Sequence, residues 1–216
     1  MRVAGKRVHV VGSSSVGEGG TGTLGKTLEP ALRALGASAV SFDAKSGRGL
    51  AGDAGNRLAG TAAQRQAFAE ALATAKPDVV LVVLGGNPSG SDAQLTEALH
   101  FVSTAVAATR AKLLWLGPPV YRDPTAMAVT EQYERLAPPV LGATYRSSLP
   151  YTDPTAGRTT DGVHFTAAGA YTWARGILHE LDAAGGHPLR WLLVGAAAAA
   201  GAGALLLRRR GRRVSS

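Results

Sequence analysis

Short apolar runs alternate along this chain with longer stretches whose apolar residues recur at helical spacing. Runs rich in branched or aromatic residues predict strands over 7–11, 39–42, 79–84 and 113–116. Amphipathic or alanine-rich stretches predict helices over 24–35, 62–75, 91–111, 126–136 and 167–183. Ser91 and Thr166 are suitable N-caps for the third and fifth helices. The pattern therefore predicts strands and helices in regular alternation over most of the chain.

Proline residues modify two of the predicted helices. Pro30 lies inside the first helix and predicts a kink or a late start there. Pro138 and Pro139 are expected to stop the fourth helix, and residues 140–160 are expected to be mostly loop.

This alternation predicts an α/β fold, with a central parallel sheet in a three-layer α/β/α sandwich of the flavodoxin type. The run over 79–84 is apolar on both faces, as expected for the centre of a sheet covered by helices on both sides. In such sheets the loops at the carboxyl ends of the strands converge on one edge, where ligands bind.

Composition restricts the class of protein. With 216 residues, 45% hydrophobic and 18% charged, the chain is globular and long enough to bury a real core. It has no cysteine, which excludes disulfides and thiolate metal sites. The four histidines outside the motif described below are scattered, so no metal site and no cofactor is predicted. They are His9, His100, His179 and His187.

The net charge of +8 belongs mainly to the C-terminal tail. Six of the 23 basic residues lie at or beyond Arg190, where no acidic residue occurs, so residues 1–189 carry 17 basic and 15 acidic side chains. A body so close to neutral has no electrostatic footprint for nucleic acid, and no nucleic-acid partner is predicted.

An uncharged stretch of 17 residues, 191–207, precedes an arginine cluster. This pattern predicts a single-pass membrane helix, with an alanine-rich helix docked on the protein or a low-complexity tail as the alternatives. The predicted organisation is a catalytic domain over 1–186, a linker over 187–190, the membrane helix and a basic tail over 208–216. No signal peptide is visible, so the side of the membrane stays open: the arginines favour an external domain, and the alternative is a tail-anchored cytoplasmic enzyme.

The candidate chemistry lies at the two ends of the predicted domain. Asp161 precedes His164 by three residues and could orient its imidazole, and Ser14, in a serine run after the first strand, could supply the hydroxyl that the imidazole activates. This is the logic of a Ser-His-Asp site, which is recognised by roles rather than by sequence order. Ser13 or Ser15 could be the exposed hydroxyl instead.

Four segments in this order, within residues 5–184, resemble the SGNH/GDSL family of serine hydrolases. They are 12–14, 46–49, 85–88 and 161–164. The resemblance implies that Ser14 is the nucleophile, His164 the general base and then acid, and Asp161 its orienting carboxylate. It also implies an oxyanion hole formed by the backbone N–H groups of Ser14 and Gly47 and the side-chain amide of Asn87. Two residues depart from the family pattern: Ser13 and Pro88 each stand where the family has aspartate.

The expected function is that of a serine esterase or acyl hydrolase. The resemblance implies O-acetylated envelope carbohydrates, short acyl esters, thioesters or lysolipids as substrates. An O-acyltransferase that uses the same acyl-enzyme and a non-catalytic glycan-binding protein are the alternatives.

A competing motif lies between residues 20 and 27, where the sequence fits the P-loop pattern of nucleotide-binding proteins. Its context argues against that function. A P-loop glycine should follow a strand directly, whereas the first predicted strand ends well before Gly20, and the later strands lack a terminal aspartate for a metal.

Overall fold

The computed structural model describes residues 1–53 and 55–183. The predicted linker, membrane helix and basic tail lie outside these residues. Within the described part of the chain no helix is both long and apolar enough to cross a bilayer. The membrane anchor over 191–207 therefore stays a prediction.

Over these described residues, five strands and five α-helices alternate. The strands are β1 (Arg7–Gly12), β2 (Ala39–Ala44), β3 (Val79–Val83), β4 (Lys112–Leu116) and β5 (Tyr145–Arg146). The helices are α1 (Thr23–Ala34), α2 (Ala62–Ala75), α3 (Asp92–Ala108), α4 (Pro124–Leu141) and α5 (Ala167–Ala183). Three short 3-10 helices also occur, at Glu18–Gly20, Gly142–Thr144 and Leu149–Tyr151.

All five strands form one parallel sheet in the order β2-β1-β3-β4-β5. The central strand β3 is buried along its whole length, as its unbroken apolar run predicted. Its alternate side chains enter two separate cores, with Leu81 in the core that includes α1 and α5 and Val82 in the core that includes α2, α3 and α4. Helices therefore cover both faces of the sheet, and the predicted α/β architecture with a central parallel sheet is confirmed.

Local capping explains several helix starts. The Thr61 and Ser91 hydroxyls each accept a hydrogen bond from the backbone N–H three residues later, where a glutamine completes a capping box. The Thr166 hydroxyl accepts from the N–H of Gly169, so α5 begins at the predicted residue. The carboxylate of Asp123 caps α4 at the N–H of Ala126.

The structure corrects two predictions that rested on proline. Helix α1 starts at Thr23 and includes Pro30, so the start is not late. Helix α4 continues through Pro138 and Pro139 to Leu141 instead of stopping before them. An interior proline costs a helix about 3 kcal/mol. Here the last turns stay helical because Ala137 and Leu141 are buried in the core beside β4 and β5.

The region from 140 to 160 is less irregular than predicted. It contains β5, which pairs with Trp115 and Leu116 of β4, and two of the short 3-10 helices. A strand of two residues is too short to show a period in the sequence, so pairing with β4 is what defines it.

Candidate active site

The predicted site residues lie on four loops at one edge of the sheet. Ser14 follows β1, Gly47 follows β2 and Asn87 follows β3, each within a few residues of the strand's carboxyl end. Asp161 and His164 lie in the loop that precedes α5. Because parallel strands all point the same way, their carboxyl ends bring these loops together.

Ser14, His164 and Asp161 form a continuous hydrogen-bonded chain. The Nε2 atom of His164 lies 3.1 Å from Ser14 Oγ, across 150 positions of sequence. Its Nδ1 atom lies 2.7 Å from Asp161 Oδ2. With the proton on Nδ1, the carboxylate holds the imidazole in the tautomer whose Nε2 can accept the serine proton.

The structure separates the three neighbouring serines. Ser13 is buried, and its carbonyl accepts hydrogen bonds from the N–H groups of Val16 and Gly17. The Ser15 carbonyl accepts from the N–H of Leu24 at the start of α1. Of the three, only Ser14 has its hydroxyl within hydrogen-bond distance of the His164 imidazole. The backbone of this loop is thus held by its own turn and by α1, which leaves the middle hydroxyl facing the imidazole.

The hydrogen bonds that Asp161 accepts stabilise its side chain as a charged carboxylate. Besides the bond to the imidazole, its Oδ1 accepts from the Thr159 hydroxyl at 2.7 Å and from the N–H groups of Val163 and His164 at 2.8 and 3.0 Å. The hydrogen bond from His164, followed by those from Thr159 and the backbone, lowers the pKa of Asp161 far below its ordinary value. A lowered pKa means that these contacts stabilise the fold at neutral pH and are lost only as the pH falls through that low value.

Arg158 holds the loop that carries His164, and the sequence analysis missed it. Its guanidinium is buried and donates to the carbonyl oxygens of Val163 at 2.7 Å, Asp153 at 3.3 Å and Val120. It also lies over the Phe165 ring, 3.6 Å from the centroid. Burial lowers its pKa to about 10, which still leaves it charged at neutral pH. Because its partner Val120 lies in another loop 38 positions away, an isolated arginine in the sequence gives no sign of this role.

Replacing Arg158 by methionine is expected to lower the free energy of unfolding by about 2–4 kcal/mol, because three carbonyl groups lose a charged donor in a buried setting. Urea unfolding followed by circular dichroism measures the change. The control is Arg135→Met, which removes an exposed ion pair with Asp92 and should change the free energy of unfolding far less, because solvent screens such pairs. Equal losses in the two variants would contradict the anchoring role of Arg158.

A pocket of about 380 Å³ opens beside Ser14 and His164. Its wall includes Tyr121, a buried residue whose hydroxyl makes no hydrogen bond to the described part of the chain. Gly86 makes room for this ring: a Cβ at residue 86 would lie 2.6 Å from the Tyr121 hydroxyl oxygen, and Gly86 has a φ of 81°. The tyrosine hydroxyl is therefore a polar group available to a ligand, and no sequence pattern singled it out.

Three N–H groups that line the pocket have hydrogens that the protein does not use. Within the described residues the backbone N–H groups of Ser14 and Gly47 donate to no other protein group. The Asn87 side-chain amide donates one hydrogen to the carbonyl of Arg48 at 3.1 Å and has a second one left. Gly47 has a φ of 70°, and a Cβ there would project into open space. Unused donors beside a hydroxyl can stabilise a negative charge that develops on a bound carbonyl oxygen.

Pro88 stands where the SGNH/GDSL family has aspartate, and the side-chain hydrogen bonds at this point of the loop belong to the next residue, Ser89. Ser89 is buried, and its hydroxyl lies within hydrogen-bond distance of the N–H of Leu50, the carbonyl of Asn87 and the Tyr133 hydroxyl. Ser89 thus links the loops that carry Gly47 and Asn87.

The segment that fits the P-loop pattern supports the serine loop instead of forming a phosphate cradle. The N–H of Gly22 donates to the carbonyl of Val16 and that of Leu24 to Ser15, while the N–H of Lys26 is already used within α1. A Cβ at Gly22 would lie 2.4 Å from the carbonyl oxygen of Ser15. The glycine permits close packing of two backbone segments, and these N–H groups are not free for phosphate.

The similarity of this chain to known proteins is a similarity of fold. No family model and no curated protein sequence matches the chain. Solved structures do. The crystal structure of TesA has a TM-score of 0.59 at 22% identity, covering 81% of this chain and 97% of that one. A catalytic mutant of Axe2, an acetylxylan esterase from Geobacillus stearothermophilus, has a TM-score of 0.62 at 18% identity, covering 83% and 96%.

The psychrotrophic esterase EstA from Pseudoalteromonas sp., in a structure inhibited by monoethylphosphonate, has a TM-score of 0.56 at 14% identity, covering 81% of this chain and 95% of that one. The chain thus has the fold of SGNH-type esterases over almost the full length of these proteins, as the sequence motifs predicted.

Proposed function

We propose that this chain, which has the fold of SGNH-type esterases, is a serine esterase that hydrolyses carboxylic esters through Ser14, His164 and Asp161. The observation that carries the proposal is the hydrogen-bonded chain from Asp161 through His164 to the Ser14 hydroxyl. An aspartate, an imidazole and a serine in this order are the groups that acyl transfer requires.

In the proposed reaction Ser14 Oγ attacks the carbonyl carbon of the ester while His164 Nε2 takes the serine proton. The tetrahedral intermediate then expels the alcohol, which leaves with the proton from His164, and an acyl group stays on Ser14. His164 next takes a proton from water, whose oxygen attacks the acyl carbon. The second tetrahedral intermediate then collapses: the bond between Ser14 Oγ and the acyl carbon breaks, His164 returns its proton to Ser14 Oγ, and the carboxylic acid is released.

The negative charge of each tetrahedral intermediate is stabilised by the N–H groups of Ser14 and Gly47 and by the free amide hydrogen of Asn87. One such donor contributes about 3–4 kcal/mol to transition-state stabilisation. The glycine at position 47 suits this task because its positive φ is a conformation that a residue with a side chain rarely adopts.

The dimensions of the pocket favour a short acyl group. About 380 Å³ is near the lower end of the range for small-molecule sites. The His164 side chain is 49% exposed, so both a bulky alcohol and water can approach the imidazole from solvent. Because water reaches the imidazole, it can act as the acyl acceptor in the proposed hydrolysis. The substrate class proposed is therefore an acetyl or similarly short ester of a larger alcohol such as a carbohydrate.

Covalent labelling tests this function without knowledge of the substrate. An activated ethylphosphonate ester should phosphonylate Ser14 at one group per chain, and peptide mass spectrometry locates the label. The label should be absent in Ser14→Ala and strongly slowed in His164→Ala, because the serine then lacks its base. Ser13→Ala serves as the control and should label as the wild type does. A label on Ser15, or none at all, would contradict the proposal.

A further inference from the structure

A second pocket, of about 560 Å³, lies next to the candidate active site under the loop that follows β2. Its polar wall combines three cationic side chains with one acidic one, above an apolar base that includes Phe68 of α2. The charged residues are Lys45, Arg48, Arg57 and Asp43. The lining therefore carries an excess of two positive charges in a chain whose first 189 residues are almost neutral.

The loop is built around Arg57. Four glycines surround this side chain. A Cβ atom added at Gly49 would lie 3.2 Å from Arg57 Cδ, and one added at Gly60 would lie 3.2 Å from Arg57 Cβ. A Cβ atom added at Gly52 or at Gly55 would lie 3.6 Å from the Arg57 guanidinium. The hydrogen bonds from the N–H of Gly49 to the carbonyl of Asn56, and from the N–H of Leu58 to the carbonyl of Gly49, hold the two sides of the loop together. Small residues thus form a channel that fixes one guanidinium.

The Arg57 guanidinium lacks an acidic partner. Its only hydrogen bond within the described residues is from Nη1 to the carbonyl of Asn56 at 3.1 Å, and its buried Nε–H has no acceptor. No described carboxylate pairs with Lys45 either. A fixed arginine with spare donors is the kind of group that recognises carboxylate and phosphate oxygens in proteins.

Arg48 forms the buried side of the pocket. It is 4% exposed, pairs with Asp43 at 2.8 Å and donates to the Asp43 carbonyl at 2.9 Å, while its Nε–H has no acceptor. Because Asp43 neutralises Arg48, the excess charge of the pocket comes from Lys45 and Arg57.

The turn between residues 45 and 48 connects this pocket to the catalytic one. Lys45 and Arg48 line the basic pocket, whereas Ser46 and Gly47 between them line the pocket beside Ser14. The Arg48 carbonyl also accepts the hydrogen bond that orients the Asn87 amide. A group bound at Lys45 and Arg57 would therefore sit beside the loop that carries an oxyanion donor.

We propose that this second pocket binds an anionic group, a carboxylate or a phosphate, on the alcohol portion of the substrate. The inference rests on the proposed esterase function and specifies its substrate class: an ester of an acidic, oxygen-rich molecule such as an acidic oligosaccharide. The short acyl group enters the pocket beside Ser14, and the anionic group of the alcohol binds Lys45 and Arg57.

Anion binding is measured first, without any ester. Glucuronate and inorganic phosphate are titrated in separate arms into the full chain and followed by isothermal titration or NMR. At least one should bind, and its Kd should rise about fivefold or more in Lys45→Ala and in Arg57→Ala.

The control Arg33→Ala removes the same charge from an exposed pair with Glu29 on α1 and should leave the Kd unchanged. Equal Kd values in the Lys45, Arg33 and wild-type proteins would overturn the proposal. Lys45 is exposed, so its substitution keeps the test valid if Arg57→Ala fails to fold.

The second measurement compares three acetylated oligosaccharides of equal length: neutral, carboxylated and phosphorylated. The carboxylated or the phosphorylated one should have a kcat/KM about tenfold above the neutral one, and the preference should disappear in Lys45→Ala but persist in the control Arg33→Ala. The arm that is favoured identifies the anion. No preference for either acid would overturn the proposal for the substrate.

If Ser14→Ala hydrolyses the acetylated oligosaccharides as fast as the wild type, the proposed esterase function itself fails. The binding titration tests the second pocket independently of that outcome.

Discussion

Replacing Ser14 by alanine is expected to reduce kcat for an acetyl ester at least about ten-thousandfold, with little change in the folded structure. The loss is this large because, in the part of the chain that the structure describes, no other hydroxyl lies against His164 Nε2, so the acyl-enzyme cannot form. Only the pocket and the N–H donors would remain to stabilise the transition state, and without the nucleophile such groups leave a small residual rate. Hydrolysis of p-nitrophenyl acetate, followed by release of the coloured alcohol, measures the effect.

The neighbouring serines are the matched controls for this experiment. Ser13→Ala and Ser15→Ala remove the same hydroxyl one residue away on either side, and both should keep kcat within about tenfold of the wild type, because neither hydroxyl contacts the imidazole. Loss of activity in the Ser15 variant together with full activity in the Ser14 variant would move the nucleophile to residue 15. Equal rates in Ser14→Ala, His164→Ala and the wild type would eliminate the catalytic assignment altogether.

The second large effect is expected for Asp161→Asn, with a fall in kcat of about a thousand- to ten-thousandfold. The Oδ1 atom of Asp161 accepts three hydrogen bonds, from the Thr159 hydroxyl and from the N–H groups of Val163 and His164. These donors fix the orientation of an asparagine: its oxygen must replace Oδ1, so its NH₂ group must face His164 Nδ1. The imidazole would then carry its proton on Nε2 and could no longer accept the proton of Ser14.

Asp123→Asn is the control for this substitution. The Asp123 carboxylate caps α4, and asparagine caps a helix about as well as aspartate does, so both kcat and the free energy of unfolding should stay near the wild-type values. The two variants remove the same charge, and only one of them changes the imidazole tautomer. A kcat for Asp161→Asn within tenfold of the wild type would show that the carboxylate does not set the tautomer.

Local patterns predicted the regular elements well where they were long and where polar caps marked their ends. Helix α2 has the predicted bounds because alanine-rich sequence follows a capping threonine, and the central strand was evident because six consecutive apolar residues suit only a doubly covered position. The prediction for α4 was wrong. Proline propensity was applied there without the buried Ala137 and Leu141, whose packing keeps the last turns helical.

The motif residues of the candidate site came from the sequence, whereas the groups that support them did not. Asp161 and His164 are three residues apart and Ser14 follows a strand, so their types and spacing were visible. Arg158 joins its own loop to Val120, 38 positions away, and lies over the Tyr121 ring. A single arginine or tyrosine between loops carries no periodic or spacing signal for such contacts. Arg57 likewise became informative only with the four glycines around it.

By itself the sequence determined the alternation of strands and helices, the burial of the central strand and the chemical types available for catalysis, because these depend on side-chain polarity and on short spacings. Only the tertiary structure decided which of three adjacent serines meets the imidazole, which N–H groups stay unused, and where uncompensated positive charge collects. Those properties depend on distances between loops far apart in the chain, and the packing of the sheet against its helices sets these distances.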